Sequence, residues 1–120
     1  MAGRVLIVDD EASVRFFERI SLEEAGIEVD EAASGPEALD AVAAADTPFA
    51  AIVMDFRMPG MTGVETAERM LSAGVTTPII LYTAWADPSV AAVAADLGFT
   101  LIDKSDVEQM VAHVGRLATV

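Results

Sequence analysis

The 120-residue chain contains no cysteine and only one lysine, Lys104. Without cysteine, both a disulfide framework and a thiolate metal site are excluded. Lysine and arginine together number 7 against 20 aspartates and glutamates, so the formal net charge at pH 7 is −13. A charge of this sign and size repels phosphate backbones and anionic lipid headgroups. We therefore expect this chain to bind neither nucleic acid nor a membrane surface directly.

Long apolar runs are also absent from the amino-terminal region, where the run over residues 5–8 stops at two acids, Asp9 and Asp10. Such a run is too short for the core of a signal peptide or for a membrane span. We therefore expect a cytoplasmic protein. A length of 120 residues predicts one domain over residues 1–120, because such a chain can bury a core without disulfides or a structural metal.

Short runs rich in Val, Ile and Leu alternate five times with longer stretches of helical period. The predicted strands cover residues 4–8, 27–32, 49–54, 79–83 and 99–102. The predicted helices cover about residues 12–25, 35–45, 64–73 and 88–97, and the last runs from about 106 almost to the end of the chain. Five βα units with right-handed crossovers predict an α/β, doubly wound sheet with helices on both faces. We expect five parallel strands in the order 2-1-3-4-5, which is the order of flavodoxin-like folds.

The first predicted helix carries apolar side chains at helical spacing. We expect Val14, Phe17 and Ile20 to face the core, with Phe16 as a further candidate for this face. Gly26 follows the helix and is typical of a left-handed C-terminal cap. These aromatic and aliphatic side chains would attach the helix to the sheet.

Polar and charged side chains follow the apolar runs, at the ends where a doubly wound sheet binds its ligands. Asp9 and Asp10 follow the first strand, Asp55 follows the third, Thr83 ends the fourth, and Lys104 follows the fifth. The first and third strands flank the point where the winding reverses, so we expect the three carboxylates to converge there. An Asp pair alone would more commonly cap the next helix, and it is the combination with Asp55 and Lys104 that favours a site.

Three neighbouring carboxylates cannot all stay ionised unless a cation compensates their charge. Mg²⁺ prefers oxygen ligands of this kind, and three aspartates, one Mg²⁺ and Lys104 sum to zero charge. Such a site can accept a phosphoryl group, because the metal and Lys104 neutralise the phosphoryl oxygens while Thr83 donates a hydrogen bond. An Asp carboxylate beside the metal can act as the nucleophile and form an aspartyl phosphate.

At these positions the sequence resembles the receiver domain of two-component response regulators, and the resemblance covers the whole chain. Asp9 and Asp10, after a Val-Leu-Ile-Val strand, are similar to the acidic metal pair of that family. Residues 54–63, Met-Asp-Phe-Arg-Met-Pro-Gly-Met-Thr-Gly, are close to the segment around the phosphorylated aspartate of the family. Thr83 and Ala84 resemble its hydroxyl residue and the small residue that leaves room for the phosphoryl group.

Lys104 matches the invariant lysine of the family. The resemblance implies a phospho-acceptor in two-component signal transduction, in which Asp55 takes a phosphoryl group from a phosphohistidine on a histidine kinase or a histidine phosphotransfer protein. It implies Mg²⁺ as the cofactor, held by Asp10, Asp55 and the backbone carbonyl of Arg57, with Asp9 acting through water. Beyond self-phosphorylation and slow self-dephosphorylation, it implies no enzyme activity.

The resemblance also implies where the signal leaves the domain. Phosphorylation would switch the face formed by the fourth helix, the fifth strand and the fifth helix, through which the chain would contact an effector protein or a second copy. Arg57 and Trp85 each lie two residues beyond a site residue and would border the pocket, where they would tune the phosphoryl lifetime. For Trp85, a surface aromatic or a partner contact is an equal alternative.

Two positions depart from the family pattern. Ser105 stands where the family commonly has a proline after its lysine, and Leu101 stands where it has an aromatic switch residue, for which Phe99 is a candidate in a shifted register. These departures leave open a receiver-like module that binds partners independently of phosphorylation. A third hypothesis is a haloacid-dehalogenase-like phosphatase, in which Glu11 would be the acid two residues after Asp9, although the rest of that motif is missing.

Overall fold

Five parallel strands form one sheet in the structure, a computed structural model that describes residues 3–84 and 86–118. The strands are β1 (Val5–Val8), β2 (Val29–Ala32), β3 (Ala51–Met54), β4 (Ile79–Thr83) and β5 (Thr100–Asp103). The helices are α1 (Ala12–Glu24), α2 (Gly35–Ala44), α3 (Gly63–Ser72), α4 (Pro88–Leu97) and α5 (Val107–Ala118). The strand order is β2-β1-β3-β4-β5 and every pairing is parallel, which confirms the predicted topology.

Side chains of the central strands alternate between two apolar clusters, one on each face of the sheet. One cluster joins Val5 and Ile7 of β1 to side chains of α1 and α5. The other joins Leu6 and Val8 of β1 to side chains of α2, α3 and α4. Coverage on both faces explains why β1 and β3 are uninterrupted apolar runs, and it confirms the prediction of helices on both sides.

Helix α1 turns a different face to the sheet from the one that its apolar residues predict. Glu18 and Leu22 are buried and Val14 is half-buried, and this row has the i, i+4 spacing of one helix face. The expectation that the aromatic residues pack inward is wrong, because a carboxyl side chain occupies the middle of the buried row. The exposed fractions are 62% for Phe16, 56% for Phe17 and 38% for Ile20.

The helix ends follow capping residues in the sequence. Gly26 follows α1 with a left-handed φ of 81°, as predicted. Ser34 caps α2 by accepting a hydrogen bond from a backbone N–H of the first turn, and Asp87 caps α4 in the same way. Asp106 does so for α5, since its Oδ1 accepts from the backbone N–H of Gln109 at 3.1 Å. Within residues 3–84 and 86–118, no helix is long and apolar enough to cross a membrane.

Candidate functional site

The carboxyl ends of β1 and β3 bring three aspartates together. Val8 of β1 pairs with Met54 of β3, so the residues that follow them, Asp9 and Asp55, leave the sheet side by side. The backbone N–H of Asp55 donates to the Val8 carbonyl at 3.0 Å. Asp10 completes the group, because one carboxylate oxygen from each aspartate lies within 4.8 Å of the other two. Asp9 and Asp55 are buried, with 1% and 8% of their surface exposed, and Asp10 is exposed.

Both carboxylate oxygens of Asp9 accept hydrogen bonds. Oδ1 accepts from the backbone N–H of Glu11 at 2.9 Å, and Oδ2 accepts from Lys104 Nζ at 2.5 Å. Arg15 Nη1 adds a hydrogen bond to the backbone carbonyl of Asp9 at 2.6 Å. The N-cap position of α1 is Glu11, not Asp9 or Asp10. The simpler interpretation of this pair as a helix cap therefore does not hold.

Lys104 reaches the aspartates from the end of β5. Its backbone N–H donates to the carbonyl of Thr83 at 3.0 Å, and its carbonyl accepts from the Tyr82 hydroxyl at 3.1 Å, so two residues of β4 fix its backbone. Besides its ion pair with Asp9, the ammonium lies 3.5 Å from Asp55 Oδ1. The predicted convergence of Lys104 with the acidic group is thus present in the structure.

The residue after Lys104 does not prevent this approach. No cis peptide bond occurs in the described part of the chain, so the Lys104–Ser105 bond is trans. The backbone N–H and the hydroxyl of Ser105 both donate to Asp103 Oδ1, at 2.9 and 2.7 Å. Ser105 therefore holds the turn between β5 and α5, and the lysine side chain enters the site without a proline beside it.

Burial and neighbouring charges shift the titration of two site residues. Burial raises the pKa of Asp55, the nearby Lys104 ammonium lowers it and the Asp9 carboxylate raises it, so the pKa stays above its ordinary value. Burial lowers the pKa of Lys104, but its hydrogen bond to Asp9 and the surrounding carboxylates raise it above the ordinary value overall. One ammonium is thus paired with two of the three clustered aspartates, and a further cation would relieve the repulsion among the three.

The other predicted site residues lie at the end of β4 and in the loop after β3. Thr83 is completely buried and Ala84 is exposed. Arg57 is exposed, and the role of its backbone carbonyl as a metal ligand stays a prediction. Trp85 lies outside the described residues, so its predicted place at the pocket rim also stays a prediction.

The loop between β3 and α3 packs tightly against the backbone of Asp55. A methyl group added at Gly63 would lie 2.0 Å from the Asp55 carbonyl oxygen, so only glycine fits this approach. The Gly63 N–H donates to the Phe56 carbonyl at 2.9 Å. Thr62 and Glu65 fix the start of α3 with a reciprocal capping box. The glycine at the end of the motif around Asp55 is therefore required for steric reasons.

Sequence reasoning missed a buried acid, Glu18 of α1, which is 2% exposed. Burial raises the pKa of Glu18 to about 8, and the charge of Asp9 adds to this increase. Its i, i+4 spacing from Val14 and Leu22 is the signal that could have revealed it. Glu18 lines a cavity of about 280 Å³ together with Ser13, Val14, Phe17, Tyr82 and Lys104.

The donor atoms of the acidic group fit a magnesium ion. All three side chains offer carboxylate oxygens, which hard divalent cations prefer. Mg²⁺ usually keeps several water ligands, and the exposed Asp10 gives the group a solvent-facing side. In the described part of the chain, no other three acidic, His or Cys side chains come this close together.

A family model described as the response regulator receiver domain matches residues 5–114. The response regulator MprA of Mycobacterium bovis is 39% identical over 98 residues, which cover 82% of this chain and 42% of MprA. The two-component response regulator ORR41 of Oryza sativa subsp. japonica is 43% identical over 79 residues, which cover 64% of this chain and 62% of ORR41. The chain thus spans less than two thirds of the length of these relatives.

Solved structures give the same assignment. The chemotaxis protein CheY4 of Vibrio cholerae has 35% sequence identity and a TM-score of 0.83, covering 98% of this chain and 99% of CheY4. The response regulator TrrA of Thermotoga maritima, solved in complex with Mg(2+)-BeF, has 27% identity and a TM-score of 0.83, covering 96% of this chain and 98% of TrrA. The predicted flavodoxin-like fold is confirmed. With the family model matched over residues 5–114, the chain belongs to the response regulator receiver domain family of two-component systems.

Proposed function

We propose that Asp55 is the phospho-acceptor of this receiver domain and takes its phosphoryl group from a phosphohistidine on a histidine kinase or a histidine phosphotransfer protein. The observation that carries the proposal is the convergence of Asp9, Asp10 and Asp55 within 4.8 Å, with the Lys104 ammonium beside two of them. This arrangement has the negative charge that a divalent cation needs and a second positive charge for phosphoryl oxygens.

Mg²⁺ would be held by Asp10, Asp55 and the backbone carbonyl of Arg57, and when bound it would neutralise charge on the phosphoryl oxygens. Asp9 already accepts hydrogen bonds at both carboxylate oxygens, which favours its contact with the ion through water. The relative TrrA was solved in complex with Mg(2+)-BeF, and we extend binding of that kind to this chain.

In the proposed step, a carboxylate oxygen of Asp55 attacks the phosphorus while the phosphorus–nitrogen bond to the donor imidazole breaks, and the imidazole takes that electron pair. Lys104, whose ammonium is 3.5 Å from Asp55 Oδ1, would pair with a phosphoryl oxygen. Thr83 would donate a hydrogen bond to another oxygen, and the small side chain of Ala84 would leave room. Water would hydrolyse the acyl phosphate slowly, so the chain would catalyse no reaction beyond its own phosphorylation and dephosphorylation.

We further propose that phosphorylation switches the face formed by α4, β5 and α5, and that an effector protein or a second copy of this chain reads that face. Lys104 links the site to this face, because it directly follows β5. Its backbone is also hydrogen-bonded to Thr83 and Tyr82 of β4. Phe99 and Leu101, at the β5 end of the face, are half-buried against the core and would respond to a shift of β4.

Around this centre, Arg57 and Trp85 would border the pocket and tune the lifetime of the phosphoryl group. The receiver unit would extend over residues 1–120 and would meet its kinase in the cytoplasm. With a formal net charge of −13, this chain would not bind nucleic acid directly.

The test is phosphorylation by acetyl phosphate, followed by intact-protein mass spectrometry. The wild type is expected to gain one phosphoryl group in Mg²⁺ and none in EDTA. Asp55→Asn is expected to gain none, because its amide is not a nucleophile, whereas Asp46→Asn removes the same charge at an exposed position and is expected to behave as the wild type. Labelling that persists in Asp55→Asn would contradict the proposal. A partner affinity that is unchanged both by Asp55→Asn and by beryllofluoride would instead favour a phosphorylation-independent module.

A further inference from the structure

Glu18 is a buried carboxyl group that the proposed phosphoryl transfer does not use. It is 2% exposed, and its Oε2 has no hydrogen-bond partner among residues 3–84 and 86–118. A buried polar atom without a partner destabilises the fold, so a chain that keeps one here calls for an explanation. An apolar residue would satisfy the packing of this helix face, since the flanking positions of the same row are Val14 and Leu22.

The cavity beside Glu18 connects it to the lysine of the site. Its volume is about 280 Å³, large enough for the head of a side chain or for several waters, and Glu18 and Lys104 are both in its lining. Tyr82 lines the same cavity, and its hydroxyl holds the Lys104 carbonyl. Lys104 therefore pairs with two aspartates of the acidic group and also borders the cavity that Glu18 lines.

The Lys104 side chain can change its partner without any movement of its backbone. The backbone is fixed to Thr83 and Tyr82, whereas the ammonium is carried on a flexible four-carbon stem. A divalent cation at the three aspartates would compete with the ammonium for Asp9 and Asp55, because the ion pairs that Lys104 makes among the described residues go to these two carboxylates. An ammonium displaced in this way needs another acceptor, and Glu18 is the acid in the lining of the adjacent cavity.

We propose that Glu18 is a positioning residue that provides a second acceptor for the Lys104 ammonium and draws it away from Asp55 when a cation occupies the three aspartates. The proposal rests on the function proposed above, in which Lys104 pairs with the phosphoryl group on Asp55. The phosphoryl oxygens must then compete with Glu18 for the Lys104 ammonium. Glu18 would slow phosphorylation, and its removal would speed it.

The single lysine allows a direct measurement. Lysine labelled with ¹³C and ¹⁵N gives one set of side-chain NMR signals, from Lys104. In the wild type we expect nuclear Overhauser contacts between the Lys104 ε protons and the Glu18 γ protons that strengthen when Mg²⁺ is added. In Glu18→Met, which has no acceptor oxygen, the Lys104 signals should respond differently to Mg²⁺. Glu24→Met, an exposed change on the same helix, should leave the wild-type response unchanged.

Phosphorylation kinetics provide the second measurement. We expect acetyl phosphate to phosphorylate Glu18→Met faster than the wild type by roughly threefold to tenfold, the effect of one competing hydrogen bond. Glu18→Gln keeps an acceptor oxygen but cannot ionise, so its rate should fall between those of the wild type and Glu18→Met. The increase should vanish in a Lys104→Met background, because Glu18 acts through the lysine.

The outcomes separate this inference from the proposed function. Wild-type Lys104 signals without any contact to Glu18, in EDTA and in Mg²⁺, would overturn the inference whatever the phosphorylation result. Contacts to Glu18 with an unchanged phosphorylation rate in Glu18→Met would also overturn it. A wild type that is never labelled at Asp55 would refute the proposed function itself, and the NMR contacts would remain a separate observation about the side chains.

Discussion

The ammonium of Lys104 lies 2.5 Å from Oδ2 of Asp9, so the only lysine of the chain joins the end of β5 to the end of β1. Asp9 is 1% exposed and its second oxygen is held by a backbone N–H. The lysine thus compensates a carboxylate that has almost no contact with solvent. Any cation that enters the acidic group must share these oxygens with the ammonium.

Replacing Lys104 by Met should lower the free energy of unfolding in EDTA by about 1–3 kcal/mol, because the buried Asp9 loses its charged partner. Mg²⁺ should offset part of this loss and should bind the variant more tightly than the wild type, since the ammonium no longer competes. Urea unfolding with and without Mg²⁺ measures both effects. Arg69→Met, the same charge change on an exposed helix position, serves as the control. An equal loss with and without Mg²⁺ would argue against shared carboxylates.

Glu18 should make the stability of the metal-free protein depend on pH. Its pKa is raised from 4.5 to about 8 in the folded chain, so the folded state holds a proton that the unfolded state releases between these values. The free energy of unfolding should therefore fall as the pH rises from about 4.5 to 8. Each tenfold difference between the two acid constants is worth about 1.4 kcal/mol, so the loss amounts to several kcal/mol.

The comparison that isolates this effect is urea unfolding of the wild type and Glu18→Gln in EDTA across that pH range. The groups whose charges act on Glu18 are Asp9, Lys104, Asp55 and Arg15, and all are kept in both proteins. The wild type should lose stability relative to Glu18→Gln as the pH rises. A constant difference between the two proteins would show that Glu18 titrates as an ordinary exposed acid.

The orientation of α1 gives a prediction about stability. Phe16→Ala should change the free energy of unfolding by less than about 1 kcal/mol, because that side chain is 62% exposed. Leu22→Ala should lower it by about 2–5 kcal/mol, because Leu22 is completely buried. Chemical denaturation of the two variants at one pH decides between the faces. A larger loss for Phe16→Ala would restore the inward orientation that the apolar pattern predicts.

The contact between Gly63 and Asp55 predicts a further pair of variants. Gly63→Ala should destabilise the fold by more than about 2 kcal/mol and slow phosphorylation, because its methyl group would lie 2.0 Å from the Asp55 carbonyl oxygen. Gly115→Ala places a methyl group in α5 whose nearest contact outside its chain neighbours and its own helix backbone is Ile27 Cδ1 at 3.9 Å, so it should be neutral or stabilising. Denaturation and acetyl phosphate labelling test both. A Gly63→Ala variant with wild-type stability and rate would exclude this steric role.

The five strands and the site's acidic group could be predicted from the sequence because they depend on strong local patterns, whereas the strand order was expected from flavodoxin-like folds. Runs such as Val5–Val8 and Ala51–Met54 are apolar throughout, which indicates strands buried on both faces, and the residue after each run then lies at the ligand edge of the sheet. Asp9 and Asp55 could be placed in this way. The caps at Ser34 and Asp87 are similarly local, since each side chain bonds to its own helix.

The features that the sequence did not reveal depend on packing between distant segments. Glu18 lies on the buried face of α1, whereas the apolar spacing predicts Phe17 and Ile20 there. The cavity that Glu18 shares with Lys104 forms only when these distant segments pack together. The approach of Lys104 does not follow from its neighbours in the sequence, where Ser105 stands at a position that is commonly proline in the family. The position of Lys104 depends on backbone hydrogen bonds to Thr83 and Tyr82 of β4, which no local sequence pattern encodes. The close contact of Gly63 with Asp55 likewise exists only in the folded loop.

The most direct measurement locates the phosphoryl group on the chain. Protein phosphorylated by acetyl phosphate in Mg²⁺ is reduced with borohydride, which converts an aspartyl phosphate to homoserine, and the product is sequenced by tandem mass spectrometry. We predict homoserine at position 55 alone, and none in the Asp55→Asn variant or in wild type treated in EDTA. Homoserine at Asp9 or Asp10, or no homoserine in protein that carries the phosphoryl mass, would contradict the assignment of Asp55.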